Sequence, residues 1–194
     1  RVEPEVIEHA GDAPQVADRP LGEVGPPRGC AGLDENVVGR REPMHVIEVA
    51  APMHDIGKIG IPDSVLIKEG PLSPAEIEIM RTHPRIGYDI LKGSPSKYLS
   101  MGSIIALGHH EKYDGTGYPN GLHGEDIPIV ARVVAVADVF DALVSERPYK
   151  HAWPINEGID FLKSQRNKHF DPKCVDAFLA DRTRIEAIYT ELAD

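Results

Sequence analysis

Residues 127–144, IPIVARVVAVADVFDALV, restrict the fold more than any other part of the chain, since three charges (Arg132, Asp138 and Asp141) interrupt an otherwise apolar run. The valines at 133, 134, 136 and 139 favour a strand by propensity. Yet apolar groups recur at Ile129, Val133, Val136, Phe140 and Val144, and about sixteen residues exceed an ordinary strand. The stretch therefore predicts a buried helix over 129–144, too often charged to span a bilayer. Asp138 lies inside it, where an unpaired carboxylate is costly. Either an ion pair, with Arg132 or Arg147, or a metal accounts for such a residue.

The rest of the chain after Asp34 carries frequent helix signals. Asp34 can cap a segment running through Val49 toward His54, which Pro52 kinks or restarts. Two glycines and Pro62 end it over residues 56–62. Ser73-Pro74-Ala75-Glu76 is a capping box with proline at the first helical position, starting a helix to about Thr82. Pro84 opens the next, to Lys92, and Ser94-Pro95 another that ends near His110. Residues 111–127 are turn-rich. Trp153-Pro154 and Asp171-Pro172 open two more helices, the last continuing or restarting toward Leu192. No pair of alternating runs flanks a hairpin turn, so the class is all-α.

Residues 1–34 differ, with prolines at 4, 14, 20, 26 and 27 and glycines at 11, 22, 25, 29 and 32. They read as an irregular N-terminal segment, with only residues 3–10 suited to a short helix, and residues 35–194 read as one domain. A net charge of −10 argues against a nucleic-acid polymer as partner, without excluding a small phosphate substrate beside cations. Cys30 and Cys174 make no disulfide framework. With no signal peptide or membrane span in the sequence, they fit a cytoplasmic protein.

Histidine and aspartate carry the chemistry. His54-Asp55 stands at a helix end, where both side chains can converge on a dinuclear centre: imidazole offers a neutral nitrogen and a carboxylate can bridge two cations. In isolation the dipeptide reads as solvated or capping residues. Its company changes that reading. His109-His110 ends the apolar run at 103–107, His83 precedes a proline-started helix, and Asp138 lies in the apolar helix. Nitrogen and oxygen ligands without cysteine suit iron, manganese, nickel or zinc rather than a thiolate zinc site. His45, nine residues before His54, falls on the opposite helix face, and His9, His123, His151 and His169 read as loop, turn or packing residues. Asp114-Gly115-Thr116-Gly117-Tyr118-Pro119 reads as a turn that can wall a nucleotide pocket. Arg147 and Lys150 read either as solvated surface or as a phosphate clamp.

These motifs together resemble the HD-GYP branch of the HD-domain phosphohydrolases. The resemblance runs through His54-Asp55-Ile56-Gly57-Lys58-Ile59-Gly60-Ile61-Pro62-Asp63, Thr82-His83-Pro84 with Ile86-Gly87, and His109-His110-Glu111 with the Asp114–Pro119 loop. It continues through residues 136–143, Arg147-Pro148-Tyr149-Lys150 and His169-Phe170-Asp171-Pro172, covering roughly residues 44–180. It implies a helical bundle and metal-dependent hydrolysis of cyclic di-GMP to linear pGpG or GMP in bacterial signalling. By the same resemblance His54, Asp55, His83, His109, His110 and Asp138 are metal ligands for two divalent transition metals, iron or manganese first, nickel or zinc otherwise. Asp55 bridges them, Lys58 lies near the scissile phosphate, Arg147 and Lys150 hold phosphate oxygens, and Asp114, Gly117 and Tyr118 contribute to the substrate pocket. The Gly117-Tyr118-Pro119 loop is also implicated in contacts with GGDEF domains, and a receiver or sensory domain is expected upstream.

The sequence departs from the family at its start. The usual Glu and His of the first core helix would fall, ungapped, near Asp18 and Gly22, in a stretch that is no helix. That departure keeps two alternatives open: a degenerate module that binds nucleotide or a GGDEF partner without turnover, and an enzyme for another cyclic dinucleotide.

Overall fold

Prolines and side-chain caps mark the start of several helices in the computed structural model, which describes residues 41–146 and 151–192. In chain order α1 is Arg41–Ala50, α2 Asp63–Leu66, α3 Pro74–Met80, α4 His83–Leu91, α5 Lys97–Gly108, α6 Ile129–Val144, α7 Ile155–Ser164, α8 Pro172–Leu179 and α9 Arg182–Leu192. Short 3-10 turns occupy Ala51–Met53, Ile56–Gly60 and Gly124–Asp126. Among the described residues there is no strand beyond an isolated bridge between Arg166 and Phe170, so the fold is all-α.

The local chemistry is visible at several boundaries. Pro52 cannot donate a backbone hydrogen bond, and the chain tightens from α1 into the 3-10 turn that delivers His54. Ser73 and Glu76 form the reciprocal capping box of α3: the Ser73 N–H donates to Glu76 Oε2 at 2.7 Å. Asp171 caps α8 by accepting from the Lys173 N–H at 2.8 Å. The start of α5 differs from expectation: Ser96, not Ser94, precedes its first turn, because Ser94 Oγ instead accepts from the Ser96 N–H. α2 is an additional single turn, too short for periodicity to reveal. The expected irregular segment 1–34, the cap at Asp34, Arg147 and Lys150 lie outside the described residues.

α6 occupies residues 129–144 as the apolar pattern predicts, and its two halves serve two cores. Val130 and Val134 pack with Val46 and Ala50 of α1 and Met101 and Ile105 of α5. Val139, Phe140, Leu143 and Val144 pack with Ile159 and Leu162 of α7 and Val175 of α8. Each fully buried aliphatic side chain contributes about 1.5–3 kcal/mol. A third, smaller cluster of Ile61, Val65 and Met80 holds α2 and α3.

Arg132 on α6 pairs with the buried Asp171 and also donates from Nε to Ile127 O at 2.9 Å. It therefore ties α8 to α6 and is not Asp138's partner. The turn-rich segment is docked by backbone bonds, Tyr113 N–H to His169 O at 3.0 Å and Asp114 N–H to Lys168 O at 2.8 Å. α6 also presents Asp138 to His54, just past the end of α1. No helix of the described residues is long and apolar enough to cross a membrane.

Candidate metal centre

Four segments deliver six side chains to one place. His54 and Asp55 lie between the first two 3-10 turns, His83 is the first residue of α4, His109 caps the C-terminus of α5 with His110 next to it, and Asp138 is two-thirds along α6. Backbone contact fixes the approach of the first two segments. A Cβ on Gly57 would stand 1.9 Å from His83 O and 2.5 Å from Gly87 N, so only glycine lets the turn after Asp55 press against α4.

The carboxylate of Asp55 faces two ways. Oδ2 lies 3.4 Å from His54 Nε2 and accepts from Lys58 Nζ at 2.8 Å. Oδ1 lies 3.4 Å from His83 Nε2 and 3.9 Å from His109 Nε2. Asp138 Oδ1 completes the first side, 3.5 Å from His54 Nε2. His110 completes the second: ligand atoms of His83, His109 and His110 all lie within 4.8 Å of one another. Two donor groups therefore share Asp55, the arrangement a bridging carboxylate needs.

The imidazoles are aimed by backbone carbonyls. His54 Nδ1–H donates to Ala51 O at 2.8 Å, His83 Nδ1–H to Met80 O at 2.8 Å, and His109 Nδ1–H to Ala106 O at 2.9 Å. A carbonyl can only accept, so each Nδ1 carries a proton, and a ring that is otherwise unprotonated presents a bare Nε2. His83 Nε2 and His109 Nε2 lie 3.3 Å apart, close enough to ligate one cation between them. Anchoring of Nδ1 by a backbone carbonyl is how metal-binding histidines are commonly oriented. The donor set fits a metal.

Electrostatics separate the rings. Burial, reinforced by the neighbouring histidines, holds His109 well below the ordinary imidazole value and keeps it neutral. At His54 burial opposes charge, but the carboxylates of Asp55 and Asp138 outweigh it and push the group up to about 9. Burial of Asp55 is likewise outweighed, by His54 and Lys58, which hold its carboxyl well below the usual carboxylate range.

The loop after His110 folds back over the site. Tyr118 stacks on His110, ring centroids 4.8 Å apart and 18° from parallel, and the Arg81 guanidinium lies over the Tyr118 ring at 5.4 Å. A Cβ on Gly117 would meet Lys112 N at 2.2 Å, which explains the glycine before Tyr118. Asp114 closes its own turn, accepting from the Thr116 N–H at 3.0 Å and hydroxyl at 2.6 Å. The histidines set aside from the sequence are elsewhere: His45 is exposed beside Glu48, His151 is exposed beside Glu146, His123 lies near Tyr113, and His169 stacks on Phe170.

A family model described as an HD domain matches residues 40–174. The chain belongs to the HD-domain family. Its ordered motifs are those of the HD-GYP branch, and similar curated proteins accord with this. The domain is 55% identical over 159 residues to the cyclic di-GMP phosphodiesterase response regulator RpfG of Xanthomonas campestris pv. campestris, covering 81% of this chain and 42% of that protein. It is 50% identical over 148 residues to a cyclic di-GMP phosphodiesterase of Thermotoga maritima, covering 76% and 40%. It is 44% identical over 149 residues to the 3'3'-cGAMP-specific phosphodiesterase 2 of Vibrio cholerae, covering 77% and 28%. The chain thus spans less than half the length of these relatives.

Two features of this HD domain escape a reading of the sequence. The carbonyl locks on the histidines arise from helix ends, not from any residue type. Glu111, next to the histidine pair, is buried with its carboxyl pushed up by that burial, against the backbone amides of Asn120 and Leu122 that it binds. The sequence marked Glu111 only as part of the His109-His110-Glu111 motif and gave it no role.

Proposed function

We propose that this HD domain is a metal-dependent phosphodiesterase that hydrolyses cyclic di-GMP to pGpG, GMP or both in bacterial second-messenger signalling. The observation that carries the reading is Asp55, whose two oxygens each face a separate group of imidazole and carboxylate donors. His54 and Asp138 would hold one divalent cation, His83, His109 and His110 the other, with Asp55 common to both. Iron or manganese suits these nitrogen and oxygen donors first, then nickel or zinc. Cations held there supply Lewis acidity, lowering the pKa of water and neutralising charge that builds on phosphoryl oxygens.

The chain's own residues do the rest. Lys58 keeps an ammonium beside Asp55, where it stabilises or protonates the departing ribose oxygen. Tyr118 and the loop with Asp114 and Gly117 form one wall of the nucleotide pocket. Arg147 and Lys150, which follow α6 in the sequence, clamp the phosphates. In the cell the domain works in the cytoplasm, downstream of a receiver or sensory domain, and its Gly117-Tyr118-Pro119 loop meets GGDEF partners.

The test is turnover of cyclic di-GMP beside 3'3'-cGAMP at saturating manganese, with metal content measured on the same protein. Cyclic di-GMP should be the faster substrate. Binding without turnover would replace the enzyme by a nucleotide-binding module, and faster 3'3'-cGAMP hydrolysis would change the substrate. Arg147→Ala and Lys150→Ala should each weaken cyclic di-GMP binding roughly ten- to hundredfold, since a charge-assisted contact is worth about 1.5–3 kcal/mol. Metal content should stay unchanged in both, and unaltered affinity would reduce the pair to surface charge.

A further inference from the structure

Glu111 directly follows the histidine pair, and its side chain turns inward to hold the loop that covers the site. It is only 2% exposed. One carboxylate oxygen accepts from the Asn120 N–H at 2.8 Å and the other from the Leu122 N–H at 2.9 Å. These bonds pin the chain on the far side of Tyr118-Pro119. On the near side the Tyr118 N–H donates to His110 O at 3.2 Å, and Gly117 packs on the Glu111–Lys112 backbone. Arg85 adds a bond to Asn120 Oδ1 at 2.9 Å. Tyr118 is therefore held from both directions, with its ring flat against His110.

The anchored loop bears directly on the metal centre through one ring contact. His110 is packed among rings, at 4.0 Å from His109, 5.0 Å from His83 and 4.8 Å from Tyr118, so the position of Tyr118 sets one wall of its cage.

We propose that Glu111 is a positioning residue that, by anchoring the Tyr118 loop, fixes the His110 imidazole in the metal centre. The proposal rests on the metal reading of that centre. A carboxylate suits the task because both of its oxygens accept. A glutamine of nearly the same volume would keep one acceptor and turn an NH2 group against a backbone N–H. Glu111→Gln therefore breaks one anchor while leaving the packing in place.

The experiment compares wild type, Glu111→Gln, Tyr118→Ala and the double variant. Mn2+ is titrated into the chelator-stripped full chain, and backbone hydrogen exchange is followed without metal. Glu111→Gln should speed exchange over residues 117–122 while α5 stays protected, and should weaken the poorer of the Mn2+ sites about tenfold. The double variant should bind Mn2+ no more weakly than Tyr118→Ala alone, because both changes act through one contact. Additive losses, or an unchanged Mn2+ affinity beside a loosened loop, would overturn the proposal and leave Glu111 a structural residue. Unchanged exchange would overturn the anchor alone. A wild-type chain that takes up no Mn2+ would instead overturn the metal reading, and the proposal with it.

Discussion

At His54 a proton would compete with any metal the centre holds. The carboxylates of Asp55 and Asp138 keep the imidazole protonated in the metal-free chain up to about pH 9, against about 6.5 for an unfolded histidine. A metal needs the neutral ring, so binding must displace that proton. Apparent affinity should therefore rise with pH from 6 to 9, about tenfold per unit for one displaced proton, and flatten above. Isothermal titration with Mn2+ in buffers of different ionisation enthalpy would count the proton released, and a pH-independent affinity would remove His54 from the ligand set. In the metal-free protein the same shift has a second consequence. His54 contributes stability that is full below about pH 6.5 and is lost as pH rises through about 9. At this scale the sequence was informative about identity and silent about aim. The six candidate residues could be picked out by their company in the chain. The Nδ1 bonds that direct His54, His83 and His109 depend on carbonyls three residues back, which any amino acid supplies. Asp138, read from the sequence as a carboxylate inside a buried helix, is partly exposed and lies beside His54.

Between elements, close backbone approach and shared side chains decide the geometry. Gly57→Ala would force the turn after Asp55 away from α4, where the added methyl meets His83 O and Gly87 N. Overpacking of this kind costs about 1–3 kcal/mol, and here it also separates Asp55 from His83. The variant should thus lose metal affinity out of proportion to its fall in denaturation midpoint; intact affinity would show that the contact only serves stability. α6 offers a different test, since Val134 faces the α1–α5 cluster and Leu143 the α7–α8 cluster. Leu143→Ala should cost about 2–5 kcal/mol. Both Leu143→Ala and Val134→Ala should shift one and the same urea transition, because a single helix carries both cores. Two separate transitions would show that the halves unfold independently. Helices with a strong period or a proline start were legible: residues 129–144 match, and α3 keeps its capping box. The start of α5 was not, since Ser94 and Ser96 both suit an N-cap and only the three-dimensional bond separates them.

Across the molecule the candidate ligands come from the turn after α1, from α4, from the end of α5 and from α6, so a metal held by them would tie four segments together. Anything that binds the folded chain and not the unfolded one stabilises it by mass action, about 2.7 kcal/mol at a hundredfold excess over Kd. For a chain of this size each kcal/mol moves the thermal midpoint by about 2–4 °C. Saturating Mn2+ should therefore raise the midpoint by roughly 5–10 °C, and a chelator should reverse the gain. Asp55 faces both donor groups, so Asp55→Asn should abolish nearly the whole increase, whereas Asp138→Asn, on one side only, should leave part of it. Equal losses in the two variants would argue for a single mononuclear site and against the bridge. The six residues also limit the count. On the dinuclear reading, two donor groups sharing one carboxylate would hold at most two tightly bound metals per chain, and elemental analysis of protein purified without chelator should find no more. A stoichiometric third metal would require a ligand from beyond these six, such as Asp18 or His9, which lie outside the described residues.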